Sequence, residues 1–208
     1  SLGAGEPTVA KTGVSTGDTV HLDIIDKFGN MVSCTPSGGW LQSSPIIPKL
    51  GFCLGNRGQM FWLDKNSPSA LLPGKRPRTT LSPSLALKDG KPFMVFGTPG
   101  GDQQDQWSTL MFLHHADHGM NLQESIDCPA FHTDHFPSSF WPRAYQSKKV
   151  VLEGRFPDST ISELKRRGHD IEIGEPWSEG RLTAASSDGS TLKAAANARG
   201  MQGYAAGR

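Results

Sequence analysis

Residues 81–101 of this 208-residue chain, LSPSLALKDGKPFMVFGTPGG, carry the clearest signals of its architecture. They contain two strand-like segments, at residues 81–88 and 92–97, separated by the dipeptide Asp89-Gly90. An Asp-Gly pair between two such segments is a strong β-hairpin signal, because both residues accept the positive φ angles of a tight turn. The stretch therefore predicts a hairpin whose second, apolar strand runs into a glycine-rich turn.

The longest predicted helix begins directly behind that turn. Asp102 occupies the position of an N-cap residue, and Gly119 ends the helical pattern. Between them the apolar residues recur with the period of about 3.6 that is typical of an amphipathic helix. Its apolar face consists of Trp107, Leu110, Met111 and Leu113. A buried strand and a long helix are thus expected to meet at Gly100 and Gly101.

The remaining elements follow from the same signals. A hairpin is expected over residues 20–35, around the turn residues 27–30, and Asn121 with Glu124 resembles a capping box for a second helix. The other predicted elements are a strand at 51–54, a helix at 158–167 ended by Gly168, and strands at 169–173, 181–186 and 192–197. Strands that bracket a helical middle favour a layered α+β fold over alternating βαβ units.

The composition excludes several classes of partner. Lys and Arg number 21 against 20 Asp and Glu, so the net charge of +1 provides no general attraction for nucleic acid or for an anionic membrane. No stretch approaches the roughly 20 apolar residues of a membrane-spanning helix. We therefore expect a soluble domain without nucleic-acid or membrane partners, and the sequence leaves open whether it is cytoplasmic or periplasmic. Cys34, Cys53 and Cys128 cannot all pair, and buried free thiols are expected.

The Gly100-Gly101 pair is the first candidate for chemistry. Backbone N–H groups at a strand-to-helix turn, together with the positive end of the helix dipole, suit a phosphate, a carboxylate or the oxyanion of an acyl-transfer intermediate. The turn lacks the sequence of a phosphate-binding P-loop or of a dinucleotide-binding loop. By itself, a Gly-Gly pair is also compatible with an ordinary connection.

Two other sets of residues offer alternatives. His114 and His118 stand four residues apart on the predicted helix, and with His132 they could form the metal site of a hydrolase. Histidines at a helix C-terminus are equally explained by the helix dipole. Arg76 and Arg78 lie beside the hydroxyl residues of the segment RPRTTLS and could bind a carboxylate, or simply belong to a polar loop.

Several separated motifs, taken in their order along the chain, resemble the small subunit of the γ-glutamyltranspeptidases. The resemblance spans about residues 18–208. The motifs are Asp18-Thr19-Val20-His21, residues 25–33 (IDKFGNMVS), Gln59-Met60, residues 73–76 (PGKR), residues 79–83 (TTLSP) and residues 97–101 (GTPGG).

This family belongs to the N-terminal nucleophile hydrolases, which are made as one precursor that cleaves itself ahead of a threonine. The resemblance implies cleavage between Asp18 and Thr19, so that residues 1–18 would end the large subunit and residues 19–208 would form the small catalytic subunit. It also implies a four-layer αββα sandwich completed by the large subunit as partner. The chain begins at Ser1 without a methionine, which fits the downstream part of a longer product.

The resemblance implies a reaction that needs no cofactor. Thr19 would supply both the nucleophilic hydroxyl and, after cleavage, an α-amine with a pKa of about 7.7–8.0 that can act as its base. Ser37 falls where the family has a threonine that orients the nucleophile. Gly100 and Gly101 match the family's oxyanion hole. The expected enzyme is a self-processing amidohydrolase or acyltransferase that cleaves a γ-glutamyl or related acyl amide through an acyl-enzyme.

The expected substrate-binding residues are Gln59, Trp62, Thr79 and Thr80. The family binds the glutamyl carboxylate with two adjacent serines, which Thr79 and Thr80 replace, and binds the α-ammonium with an acidic residue, which Trp62 replaces. Gly39 replaces an asparagine of the same pocket. These departures favour a small-molecule amide whose acyl group lacks a free α-amine. With Phe61 next to Trp62, they also leave open a catalytically silent member that serves as a binding or structural subunit.

Overall fold

The computed structural model describes residues 19–38, 44–199 and 203–207. Their strands are β1 (Leu22–Ile25), β2 (Met31–Cys34), β3 (Ile46–Ile47), β4 (Phe52–Cys53), β5 (Ser84–Lys88), β6 (Lys91–Gly97), β7 (Phe131–Thr133), β8 (Lys149–Leu152), β9 (Asp170–Ile173), β10 (Thr183–Ser187) and β11 (Leu192–Ala196). The helices are α1 (Gln104–Ala116), α2 (Leu122–Asp127) and α3 (Asp158–Arg166), with 3₁₀ turns at Arg57–Met60 and Gly101–Gln103.

The central element is a four-stranded antiparallel sheet in the order β11-β10-β6-β5. The β5–β6 hairpin turns at Asp89 and Gly90, which both have positive φ, as the Asp-Gly signal predicts. Met94, Val95 and Phe96 of β6 are buried because this strand lies between β10 and β5. The predicted α+β arrangement, with strands on both sides of a helical middle, is confirmed at this level.

The β1–β2 hairpin packs against this sheet through its polar face. Ser33 donates from its hydroxyl to the carbonyl oxygen of Phe96 at 3.2 Å, and Thr183 donates to Asp23 at 2.7 Å. The opposite face of the hairpin carries apolar side chains that are 40–54% exposed: Val20, Leu22, Ile24 and Val32. Because side chains alternate along a strand, the residues at odd positions of β1 face the sheet and those at even positions face away.

The apolar core lies between the central sheet and the helices α1 and α2. Trp107 and Met111 are almost completely buried there, together with Met94 and Ile126. The predicted apolar face of α1 is partly wrong, because Leu113 is 39% exposed. The Asn121 capping box is confirmed: the Asn121 side chain accepts the backbone N–H of Glu124, and the Glu124 carboxylate accepts that of Asn121.

A second sheet, β7-β8-β9, is mostly absent from the sequence prediction, which contained β9 only. Strands β7 and β8 are antiparallel, whereas β8 and β9 are parallel and are connected through α3. Gly168 has a φ of +92° behind α3 and ends that helix as predicted. The strand expected at residues 51–54 is present as β4, and Phe52 and Cys53 pair with Ile47 and Ile46 of β3, a strand that was not predicted.

The thiols are free but less buried than expected. Cys34 is exposed on the outer face of β2, while Cys53 and Cys128 are half-buried. Burial raises the pKa of the Cys128 thiol above its usual range. Within the described ranges, no helix is long and apolar enough to cross a bilayer.

A buried ion cluster around Glu153 joins the second sheet to the C-terminal segment. Glu153 is fully buried and accepts from Arg199 at 2.7 and 3.1 Å and from Arg155 at 2.6 Å. Arg199 also donates to the carbonyl oxygens of Ile126 and Cys128. Burial alone would raise the pKa of Glu153, but the hydrogen bonds and positive charges of Arg199 and Arg155 outweigh it, so this pKa lies below its usual value.

We expect Glu153→Gln to destabilise the fold by about 3–5 kcal/mol, because the buried charge of Arg199 loses its counter-charge. Glu163→Gln is the matched control, since Glu163 pairs with exposed arginines on α3 and its replacement should change the stability little. Urea unfolding at neutral pH measures both variants. Equal stabilities of the two variants would contradict this role of Glu153.

The same cluster predicts the direction of the pH dependence. Because the folded-state pKa of Glu153 is depressed, its contribution is fully present above 4.5, the usual glutamate value, and is lost as the pH falls through the folded-state pKa. The stability difference between the wild type and Glu153→Gln should therefore shrink in acid. Urea unfolding repeated at a series of acidic pH values measures this convergence.

Candidate active site

Thr19 lies at the start of the β1–β2 hairpin, opposite Ser37. The two residues form an isolated antiparallel bridge, and Val20 donates its backbone N–H to the carbonyl oxygen of Pro36 at 3.1 Å. The Thr19 Oγ1 and Ser37 Oγ atoms are 2.6 Å apart, a strong hydroxyl–hydroxyl hydrogen bond. The structure thus brings together the two hydroxyl residues that the sequence placed 18 positions apart.

Below Thr19, the same face of the hairpin carries a buried polar network that the sequence analysis missed. The His21 Nδ1 atom is 2.6 Å from the Thr35 hydroxyl, and Nε2 is 3.0 Å from the Asp23 carboxylate. The His21 ring packs against the backbone at Gly97, where a Cβ atom would come within 2.4 Å of it. The period-two alternation from Thr19 through His21 to Asp23 was the available signal. The network fixes the strand that carries Thr19 to the end of β6.

The Gly100-Gly101 turn is buried and has a backbone that few residues other than glycine adopt. Gly100 has a φ of +140° and Gly101 a φ of +58°. A Cβ atom on Gly100 would come within 2.4 Å of the Trp107 ring, so the turn is also closely packed. Gln103 donates its backbone N–H to the Gly100 carbonyl oxygen at 3.2 Å and closes a 3₁₀ turn ahead of α1.

Asp102 does not cap α1 as predicted, because its carboxylate is directed to another segment. It accepts the backbone N–H of Ser139 at 2.8 Å and the hydroxyls of Ser138, at 3.2 Å, and Ser139. The helix begins at Gln104 behind the 3₁₀ turn and has no side-chain cap. Asp102 therefore anchors the segment around residue 139 next to the glycine turn.

Gln104 connects the glycine turn to the pair Thr79 and Thr80, and it was not predicted from the sequence to belong to the site. Its side chain is fully buried, and in the orientation that satisfies its hydrogen bonds the amide nitrogen donates to the carbonyl oxygens of Thr98 (3.1 Å) and Thr80 (3.2 Å). Thr80 is buried, whereas Thr79 is exposed and accepts the backbone N–H of Leu81 at 3.0 Å. Among the described residues, the Thr80 hydroxyl has no hydrogen-bond partner.

Gln59 and Trp62 lie on one segment that is connected to a distant arginine. Trp62 pairs with Ala70 in a parallel bridge. Arg143 donates to the carbonyl oxygens of Gln59 at 2.9 Å and of Phe61 at 3.0 Å, and its guanidinium lies 5.1 Å from the centre of the Trp62 ring. An arginine 81 positions after Trp62 could not be assigned to this segment from the sequence.

The three histidines of the metal-site alternative are not brought together. His132 is buried against Glu179, with 2.5 Å between Nδ1 and Oε2, while the His114 ring on α1 lies near the ring of His118, two residues beyond the end of that helix. In residues 19–38, 44–199 and 203–207, no group of three or more His, Cys, Asp or Glu side chains could hold a metal ion. The described residues therefore give no support to a metal site built on these three histidines. Asp18, the rest of residues 1–18, and Gly39 lie outside the described residues.

A comparison with known families identifies the chain. The family model for gamma-glutamyltranspeptidase matches residues 5–207. The chain belongs to the γ-glutamyltranspeptidase family. This confirms the resemblance inferred from the sequence motifs. The mixture of sheets with few helices agrees with the N-terminal nucleophile hydrolase fold of γ-glutamyltranspeptidases.

Relatives of this γ-glutamyltranspeptidase-family chain carry different names. It is 37% identical over 157 residues to the glutathione hydrolase-like YwrD proenzyme of Bacillus subtilis, an alignment covering 75% of this chain and 29% of that protein. It is 38% identical over 169 residues to the oxamate amidohydrolase proenzyme of Klebsiella pneumoniae, covering 80% and 31%. The solved structure of LmbA2991HD is 56% identical, with a TM-score of 0.83 over 90% of this chain and 34% of that one. The chain spans about a third of the length of these relatives.

Proposed function

We propose that this chain is the catalytic small-subunit part of a self-processing amidohydrolase or acyltransferase. In this proposal, Thr19 forms an acyl-enzyme with a small-molecule amide, after cleavage of the Asp18–Thr19 bond has exposed its amine. The single observation that supports it most strongly is the 2.6 Å bond between the Thr19 and Ser37 hydroxyls at the head of a strand held by buried polar contacts.

The nucleophile needs a base, and a free N-terminal threonine carries one. A neutral α-amine accepts the hydroxyl proton as the oxygen attacks the amide carbonyl. The resulting α-ammonium then gives this proton to the substrate's amine, which leaves while the acyl group remains on Oγ1. Water or a second amine then accepts the acyl group. Ser37 positions the Thr19 hydroxyl, because the 2.6 Å bond restricts its rotamer. In the precursor the same nitrogen is an amide and cannot act as a base.

The oxyanion of the tetrahedral intermediate would be stabilised by the Gly100-Gly101 turn. His21 lies two residues after Thr19 and contacts Gly97, three residues before Gly100, so the nucleophile and the turn belong to neighbouring ends of packed strands. Backbone donors fixed by glycine conformation require no reorganisation during the reaction. Each such donor contributes about 10²- to 10³-fold to the rate of acyl transfer.

The exposed apolar face of the β1–β2 hairpin supports a large-subunit partner. Its four apolar side chains lie on the side away from the central sheet. In a four-layer αββα sandwich, an upstream large subunit would add strands beside this hairpin and a helical layer over that face. The hairpin and the central sheet would then form the two inner layers, with α1 and α2 as one outer layer.

The proposed acyl group is one without a free α-amine. Trp62 stands where an acidic residue would pair with an ammonium group, and the cation Arg143 lies 5.1 Å from the centre of its ring. Two relatives are named glutathione hydrolase-like and oxamate amidohydrolase proenzymes, and these names cover acyl groups with and without an α-amine. The catalytically silent alternative is favoured only by the aromatic pair Phe61 and Trp62.

Self-processing is tested by intact mass and N-terminal sequencing of the purified full-length protein. We expect two chains, the smaller of which begins at Thr19. A stable chain that stays uncut ahead of Thr19 after prolonged incubation would contradict the proposal. Turnover of a panel of amides by the processed protein distinguishes the enzyme from the silent subunit.

The amine base also predicts a pH profile. Because only the neutral amine accepts a proton, kcat/KM should fall about tenfold per pH unit below its pKa of about 7.7–8.0. Initial rates at a series of pH values from roughly 5 to 9 measure this pH dependence of kcat/KM. A rate that does not change across the acid limb would exclude the Thr19 amine as base.

A further inference from the structure

Arg143 makes contacts that the family resemblance does not explain. Its guanidinium donates to two carbonyl oxygens of the segment with Gln59 and Trp62, and it stacks on the Trp62 ring. Both bonds come from one terminal nitrogen, Nη2. The other terminal nitrogen, Nη1, is shielded from solvent and has no hydrogen-bond partner among the described residues.

Burial and a neighbouring positive charge both act on the Arg143 guanidinium. The pKa of its guanidinium lies below the usual range, first because burial disfavours the charged form and second because Arg78 repels it. Asp102 acts in the opposite direction, but its carboxylate already accepts from Ser138 and Ser139. Two arginines that repel each other, one with an unpaired buried donor, are arranged as in an anion-binding site.

The position of Arg143 is fixed relative to the glycine turn. Ser138 donates its backbone N–H to the Ala144 carbonyl oxygen at 2.9 Å, and Arg143 donates its own to Phe140 at 2.7 Å, so residues 138–144 form a closed loop. The Asp102 carboxylate holds the start of this loop through Ser138 and Ser139. Since Asp102 follows Gly101 directly, the arginine is anchored to the proposed oxyanion hole.

Two hydroxyl donors lie on the segment that directly follows Arg78. The Thr80 and Ser82 hydroxyls are buried and have no hydrogen-bond partners among the described residues. Gln104 binds this segment to the glycine turn through Thr80 and Thr98. Guanidinium and hydroxyl groups can all donate to a carboxylate, whereas the positive guanidinium repels an ammonium group.

We propose that Arg143, assisted by Arg78, binds a carboxylate on the acyl group of the substrate. The preferred acyl donors are then monoamides of dicarboxylic acids that carry no α-amino group. The guanidinium stacked on Trp62 places a positive charge where the γ-glutamyl ammonium would need a negative one. It therefore attracts the carboxylate of a dicarboxylic acid monoamide and repels the ammonium of a γ-glutamyl amide. This inference rests on the proposed function and specifies its substrate class.

The test compares three 4-nitroanilides with the processed full-length protein. Glutaryl and γ-glutamyl nitroanilides differ only in the α-amine, and pentanoyl nitroanilide replaces the glutaryl carboxylate by a methyl group. We expect the wild type to have its highest kcat/KM with the glutaryl amide. Arg143→Ala should lower that value by about tenfold to a hundredfold, mainly through KM, because a charged hydrogen bond is lost. The pentanoyl amide should be affected much less.

Arg78→Gln gives a second measurement that does not disturb the fold, since Arg78 is exposed. It should reduce the preference for the glutaryl over the pentanoyl amide by about twofold to tenfold, in the range of an exposed charge contact. Arg166→Ala, on the surface of α3, is the control that should leave all three rates unchanged. Equal losses with glutaryl and pentanoyl amides in Arg143→Ala, or a wild-type preference for the γ-glutamyl amide, would overturn the inference.

Calorimetric binding of glutarate separates this inference from the proposed function. The wild type should bind glutarate about tenfold or more tightly than Arg143→Ala does. If no amide is turned over but this difference is found, the proposed function fails and the carboxylate site stands. If amides are hydrolysed but Arg143→Ala binds glutarate like the wild type, the carboxylate site is wrong and the proposed function stands.

Discussion

Replacing Thr19 by alanine is expected to leave the full-length precursor uncut and to remove amide turnover. The hydroxyl that would attack the carbonyl is absent from this variant, whereas the backbone and the His21 network behind it are unchanged. Removing the nucleophile of an acyl-transfer enzyme lowers kcat on the order of 10⁴- to 10⁶-fold. Intact mass gives the extent of cleavage, and release of 4-nitroaniline gives the rate.

Thr19→Ser is the matched control, because it keeps both the hydroxyl and, after cleavage, the α-amine. It should be processed and should retain measurable turnover, since only the methyl group is lost. The hydrogen bond to Ser37 can also form from a serine hydroxyl. Turnover by Thr19→Ala at the wild-type rate would show that another group is the nucleophile. A Thr19→Ser variant as inactive as Thr19→Ala would contradict a catalytic role of the hydroxyl at position 19.

Local signals in the sequence were sufficient for most of the central sheet. The Asp89-Gly90 turn and the apolar run that follows it determine the β5–β6 hairpin without help from distant residues. The capping box at Asn121 and the glycine stop at Gly168 are equally local, and both are present. These elements could be predicted because their chemistry is complete within a few neighbouring residues.

The second sheet and the start of α1 depended on distant partners. Strand β7 has only three residues and is stabilised by pairing with β8, which follows about 16 positions later. Asp102 has the sequence position of an N-cap, but its carboxylate is used by Ser138 and Ser139. A local rule therefore failed where a long-range hydrogen bond competed for the same side chain.

The residues of the candidate site also fall into those that local motifs identify and those that only long-range contacts reveal. Thr19, Ser37 and the glycine pair could be named from motifs, and the structure places the first two in contact. Arg143 and Gln104 act across the chain, and their contacts became evident only from the folded arrangement. The substituted position Trp62 signalled a changed pocket, but the charge that now faces it comes from a different part of the chain.

Gly100→Ala is expected to affect both stability and catalysis. The new Cβ would lie 2.4 Å from Cζ3 of Trp107, a ring that is fully buried, in a residue with a φ of +140°. Overpacking costs about 1–3 kcal/mol, and a backbone forced into a region that only glycine favours costs about 1–3 kcal/mol more. Thermal unfolding should therefore shift down by about 4–24 °C, at about 2–4 °C per kcal/mol for a domain of this size.

The catalytic effect of Gly100→Ala can be separated from the loss of stability by measuring kcat well below the melting temperature. The added Cβ displaces the turn away from the Trp107 ring, so its backbone N–H groups no longer point at the developing oxyanion. The kcat should then fall about 10²- to 10³-fold per misplaced donor. Gly90→Ala is the matched control, because Gly90 also has a positive φ, at +75°, but a Cβ there meets nothing within 4 Å. That variant should show the backbone strain alone and keep the wild-type kcat. A Gly100→Ala protein that is destabilised but equally active would assign the glycine to packing against Trp107 and remove it from the oxyanion hole.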